Sequence, residues 1–171
     1  SVREKTMESD KKEMSKEEKL VAVLMKKGYH IAFAESCTGG MAAARLINVA
    51  SASSVINESI VTYANEAKIK YLHVEPELIE AHGVVSEEVA GAMAKGMAAA
   101  AGSEVGVGIS GIAGPSGATP GKPVGMVCFG FSVNGNVWTR TKQFGELGRN
   151  NVRQAAVEFV YDELLEHLTE C

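Results

Sequence analysis

The chain has 171 residues, with 17 Lys and Arg against 21 Asp and Glu for a formal net charge of −4. That length suits one domain with a sizeable core, and the acidic balance offers no basic footprint for nucleic acid. Three cysteines without metal-ligand spacing fit a reduced, cytoplasmic protein; only Asp10 and Asp162 are aspartates, which removes Asp-supported triads and Asp-rich Mg²⁺ sites.

Residues 1–14 (SVREKTMESDKKEM) are charged and lack an apolar period, so they are expected to be a flexible lead to a domain over 15–171. From Ser15 the spacing of Leu20, Val21, Val23 and Leu24 predicts an amphipathic helix that stops at Lys26, Lys27 and Gly28. HIAFAE reads as a short buried strand and TGGMAAARLIN as the next helix. SVINESIVTYA alternates and is rich in β-branched residues, which predicts a strand. Asn65 is placed to cap a brief helix, EAKIKYL, and Pro76 opens another that Gly83 closes. Ser86 caps EEVAGAMAKGMAAAA, whose acidic first turn suits the helix dipole. SEVGVGIS is a strand entering the loop GIAGPSGATPGKP; VGMVCFGFSV and VWTRTKQF are strands joined by an Asn-Gly hairpin turn, and a last helix starts near Leu147. Strands alternating with helices and then a hairpin predict an α/β fold: a single-domain three-layer sandwich with a mixed sheet and helices on both faces. No apolar run approaches the ~20 residues that cross a bilayer, so no membrane partner is expected.

Two glycine-rich turns fall at strand C-terminal ends, where α/β sheets bind ligands. The second, SGIAGPSGATPG, is neither a P-loop, since Pro123 stands where a hydroxyl should hold Mg²⁺, nor a dinucleotide fingerprint, since Gly111, Gly114 and Gly117 do not open into a helix. The first, ESCTGG, has two readings. Ser36 or Thr38 is a simple helix cap; or Ser36 is a nucleophile, with amides of Thr38, Gly39 and Gly40 free for an oxyanion. A serine needs a base. His73 and His82, on either side of the Pro76 helix, are the plausible histidines among four. Lys68 is the better candidate, because the positive end of its helix and burial both favour a neutral amine, with Tyr63 beside it to relay a proton. Solvated Lys68 and a strand-end Tyr63 are the plain alternative. Cys37, next to Ser36, is a second possible nucleophile. Arg149 and Arg153 open the last helix, where the dipole disfavours cations unless an anion is near; Arg149 is taken for a phosphate contact beside amides around Gly114, Ser116 and Gly117, against a surface pair with Glu146.

AESCTGG, VTYANEAK, HGVVSEEVAGAMA, GISGIAGPSGATPGKPVG and FGELGRNNVRQAAV occur in that order and together resemble the CinA C-terminal domain family, the bacterial nicotinamide mononucleotide deamidases. The resemblance runs over about residues 15–168. It implies an α/β amidohydrolase that converts nicotinamide mononucleotide to nicotinic acid mononucleotide and ammonia without metal or cofactor. By position it makes Ser36 the nucleophile, Lys68 the base and Tyr63 the assisting hydroxyl, with Cys37, Thr38, Gly39, Gly40, Gly111, Gly114, Ser116, Gly117 and Arg149 around the substrate, and it implies a homodimer. Ala52, Ser110 and His73 depart from the family's usual Gly, Thr and Gly, away from the dyad. An amidase for another nucleotide-like amide and a nucleotide-binding module without chemistry are the alternative readings.

Overall fold

The structure is a computed structural model describing residues 13–169. Most of the expected lead, residues 1–12, lies outside the described residues. Helix α1 (Lys16–Lys27) starts at a reciprocal capping box, in which Ser15 and Glu18 each accept the other's amide, and stops at Gly28 with φ 70°. Strand β1 (Ile31–Glu35) is wholly buried and feeds a sharp turn into α2 (Met41–Ile47). A 3₁₀ turn (Ala52–Ser54) and β2 (Ile60–Val61) follow, then α3 (Asn65–Leu72), α4 (Pro76–His82) and α5 (Glu87–Ala101). Strands β3 (Val105–Gly111), β4 (Met126–Val133) and β5 (Asn136–Gln143) complete the sheet before α6 (Arg149–Thr169).

The strand order is β2-β1-β3-β4-β5, with β2, β1 and β3 mutually parallel and β4 and β5 antiparallel. Alternation along β1 sorts its side chains into two layers. Ile31 and Phe33 join Leu20, Leu46 and Tyr161 under α1, α2 and α6, while Ala32 and Ala34 join Leu72, Met93 and Met97 under α3 and α5. The three-layer mixed α/β architecture is therefore the observed one.

Helix α5 lies almost on the sheet backbone because Gly106, Gly108 and Gly130 present no side chain to it. A Cβ on Gly130 would meet the Ala90 carbonyl oxygen at 2.0 Å, and backbone cannot swing aside as a side-chain tip can. Gly130→Ala is expected to cost about 3 kcal/mol by overpacking. In a domain of this size that is a fall of roughly 6–12 °C in melting temperature, checked by calorimetry; a shift under ~2 °C would show that α5 can back away.

Two local expectations are corrected. The strand expected over SVINESIVTYA shrinks to Ile60–Val61 plus one bridge from Ile56 to Ile31. Here the Ser59 hydroxyl, not a strand carbonyl, accepts the Phe33 amide, so a side chain replaces a ladder rung at the sheet edge. Asn65 is not the cap of α3: Ala64 holds that position without a side-chain bond, and Asn65 is the first helical residue. The Asn134-Gly135 hairpin has the two positive φ values, 49° and 86°, that a tight β-turn of this hand requires. Among the described residues no helix is long and apolar enough to cross a membrane.

Candidate active site

Because β2, β1 and β3 run parallel, their carboxyl ends open on one edge of the sheet. Ser36 and Cys37 leave β1 there, Thr62 and Tyr63 leave β2, and the glycine loop leaves β3. A cleft of about 340 Å³ lies between them, with Ser36, Tyr63, Lys68, Gly114 and Arg149 in its walls. Other surface hollows are as large. What singles this one out is its chemistry.

Lys68 is completely buried, and its Nζ lies 2.6 Å from the Thr62 carbonyl, 3.3 Å from the Tyr63 carbonyl and 3.4 Å from Ser36 Oγ. No carboxylate stands within ion-pair distance of it among the described residues. Burial pushes its pKa below the ordinary lysine range, opposed in part by the nearby Cys37. A neutral amine has two N–H bonds and one lone pair. Three oxygens surround Nζ, the two carbonyls and Ser36 Oγ, so once the amine has lost a proton the carbonyls can keep its two N–H bonds while its lone pair meets the Ser36 hydroxyl.

Ser36 is fixed through its own backbone: its amide donates to Ile109 O at 3.1 Å, and its carbonyl accepts the Gly39 amide at 3.0 Å. Cys37 lies in the core, where burial pushes its thiol up to about 11. A thiol so protonated at neutral pH is a poor rival nucleophile. The expectation that amides of Thr38, Gly39 and Gly40 face the substrate is corrected. Gly39 N–H is spent on Ser36 O, the Thr38 hydroxyl donates to buried Glu35 at 2.7 Å, and none of the three lies in the cleft wall. The Cys37 and Thr38 amides have no acceptor among the described residues, and of these two residues Cys37 borders the cleft.

On the opposite wall are Gly111, Gly114, Ser116 and Gly117. The Gly114 carbonyl accepts Arg149 Nη1 at 2.9 Å, and Arg149 Nη2 donates to the Tyr63 hydroxyl at 3.2 Å. Arg149 therefore straps the glycine loop to the β2–α3 connection, and Glu146 is not among its partners. Tyr63 touches Lys68 only through its carbonyl; its exposed ring stands at the rim with the hydroxyl turned to Arg149. His73 closes α3 and His82 lies 3.8 Å from Glu88, so neither reaches Ser36. The Ser110 hydroxyl still donates to Val84 O at 2.7 Å. Sequence reasoning overlooked Asn65, which borders the cleft, and Glu35, whose signal was a carboxylate ending an otherwise apolar strand. It named Arg153 without a role; Arg153 Nε donates to Cys37 O at 2.8 Å. No cluster of three or more metal-ligating side chains occurs among the described residues.

The family model of the CinA C-terminal domain matches residues 13–168. The chain belongs to this family. A CinA-like protein of Kosmotoga olearia is 48% identical over 150 residues, which cover 88% of this chain and 36% of that protein. This CinA domain thus spans a little over a third of the length of the curated relatives it matches. Solved CinA structures are closer in size. The crystal structure of the competence or damage-inducible protein from Enterobacter asburiae superposes with a TM-score of 0.87 at 34% identity, covering 90% of this chain and 96% of that one. That of CihA from Agrobacterium tumefaciens gives 0.83 at 34% identity, covering 92% and 98%. The mixed five-stranded sheet with helices on both faces is the architecture of these CinA proteins.

Proposed function

We propose that this CinA domain, residues 15–171, is a cytoplasmic, homodimeric amidohydrolase that converts nicotinamide mononucleotide to nicotinic acid mononucleotide and ammonia. The observation that carries the reading is the buried Lys68, with no carboxylate in ion-pair range among the described residues and Nζ 3.4 Å from Ser36 Oγ. Lys68 takes the Ser36 proton as Oγ attacks the carboxamide carbon, then returns it to the departing nitrogen as the C–N bond breaks. Water, losing a proton to Lys68, attacks the resulting ester, and Lys68 returns that proton to Ser36 Oγ as the acyl C–O bond breaks, which frees the acid and restores both residues. The Cys37 amide, which has no acceptor among the described residues and belongs to the cleft wall, is a donor available to the oxyanion. A neutral lysine also suits this substrate, whose pyridinium ring is cationic and would repel an ammonium. The same ring charge withdraws electrons from the carboxamide and makes it a better electrophile.

The phosphate of a mononucleotide needs donors away from the reacting carbon. Arg149, held on neutral oxygens alone, and the loop of Gly114, Ser116 and Gly117 supply them. Arg149→Ala should raise KM for the mononucleotide about 10- to 100-fold, the loss of a charge-assisted bond, and leave KM for the phosphate-free riboside nearly unchanged. Equal effects on both would remove Arg149 from phosphate recognition.

Ammonia release on mixing protein with nicotinamide mononucleotide tests the activity itself. Ammonia from another amide alone would give the site a different substrate. Tight binding of the mononucleotide without turnover would make the domain a binding module.

A further inference from the structure

We infer that Glu35 is the positioning residue of the site, setting the distance between Ser36 and Lys68; the inference rests on the Ser-Lys amidase reading. Glu35 ends β1 and is 1% exposed. Its side chain reaches forward over the turn: Oε1 accepts the Thr38 hydroxyl at 2.7 Å and the Ala42 amide at 2.9 Å, and Oε2 accepts the Ala43 amide at 3.1 Å. Three donors and no acceptor face this group, the set that a carboxylate satisfies and a carboxamide cannot. The turn that carries Ser36 is thereby tied at its middle and its far end to the residue that precedes Ser36.

The main chain of Glu35 makes the second tie. Its carbonyl accepts the Thr62 amide at 2.8 Å, and the Thr62 carbonyl accepts Lys68 Nζ at 2.6 Å. One residue is therefore bonded to the segment that holds the base and, through its side chain, to the turn that holds the nucleophile. From the other side Arg153 fixes the Cys37 and Thr38 carbonyls, so the turn is gripped between an anion and a cation. Neither contacts Lys68, whose amine keeps no charged partner. Burying a carboxylate is costly unless it is fully bonded, and the return here is a turn with little freedom beside a 3.4 Å contact.

Glu35→Gln sets an amide N–H₂ against at least one of the three donors. We expect kcat for ammonia release to fall roughly 10- to 100-fold, the scale of a misplacement of about 1 Å, with KM within about two-fold and the rise of kcat with pH, which Lys68 as base would set, unmoved. Labelling of Ser36 by a fluorophosphonate, which needs no natural substrate, should slow by the same factor. Thr38→Val, which removes one donor and keeps the charge and both helix amides, should show a smaller loss of about 3- to 10-fold in both readouts and serves if the first variant does not fold. A lower melting temperature with unchanged kcat and labelling rate per folded molecule would make Glu35 a helix cap only and overturn the inference. A wild type that labels at Ser36 but releases no ammonia from the mononucleotide would remove the substrate reading, and the labelling rates alone would then decide the role of Glu35. A wild type inert in both assays leaves no nucleophile to position and overturns it.

Discussion

Ser36→Ala is expected to lower ammonia release from nicotinamide mononucleotide by about 10⁴-fold or more, since loss of an attacking atom is not replaced by binding energy. The fold should survive. The Ser36 side chain makes a single 3.4 Å contact, to Lys68, while its amide and carbonyl bonds to Ile109 and Gly39 belong to the backbone and persist. Substrate affinity should be nearly unchanged in the variant, and the acyl-enzyme trapped from wild type by acid quench should be missing from its mass spectrum. Cys37→Ala is the control, because a thiol pushed up to about 11 contributes little thiolate at neutral pH. That variant should keep most of its activity. An active Ser36→Ala protein beside an inactive Cys37→Ala protein would transfer the attack to the thiol.

Lys68 has the second large effect, with opposite signs for activity and stability. Lys68→Met should lower kcat by roughly 10³-fold or more through loss of the base, and Lys68→Arg should not restore it, since guanidinium keeps its proton. In wild type kcat should rise with pH through the pKa of Lys68, below the ordinary lysine range, and this limb should vanish in Lys68→Met. For stability, burial lowers the folded-state pKa beneath the unfolded value, so between the two the unfolded chain binds more protons. Wild-type stability therefore rises with pH across that window and levels off above the unfolded value. Lys68→Met, with no ammonium to bury, should lose this slope and match or exceed wild-type melting temperature at neutral pH. A variant that melts lower at every pH would mean that the bonds to Thr62 and Tyr63 outweigh desolvation.

Much of this is legible in the residues themselves, where local signals act alone. Ser15, Gly28, Ser86 and Asn134-Gly135 mark their boundaries because caps and tight turns need particular side chains or positive φ. Ser36 and Lys68 fall into one cleft because parallel strands share an open edge, which the alternation of strands and helices already implies. Legibility fails where a distant group takes a local partner. Ser59 replaces a strand carbonyl for Phe33, which no β-propensity records. The turn after Ser36 reads as a row of amides facing substrate, yet the Gly39 amide is taken by the Ser36 carbonyl, and Thr38, whose hydroxyl is tied to Glu35, lies outside the cleft wall together with Gly39 and Gly40. Tyr63 suggests a hydroxyl near the base, yet Arg149, 86 residues further on, turns that hydroxyl to the rim.

Arg149 and Arg153 belong to the last helix, yet they hold parts of the cleft made much earlier, with Arg153 reaching back 116 residues to Cys37. During synthesis Ser36 and Lys68 leave the ribosome before either arginine, and a domain folds as a unit. The strap over the cleft and the grip on the Ser36 turn both wait for the segment that carries these arginines. A chain arrested between residues 68 and 149 has Ser36 and Lys68 and neither arginine. In such a fragment nothing straps the glycine loop to the β2–α3 connection and nothing holds the Cys37 carbonyl, so the geometry of the cleft depends on a segment translated after the strands that form it.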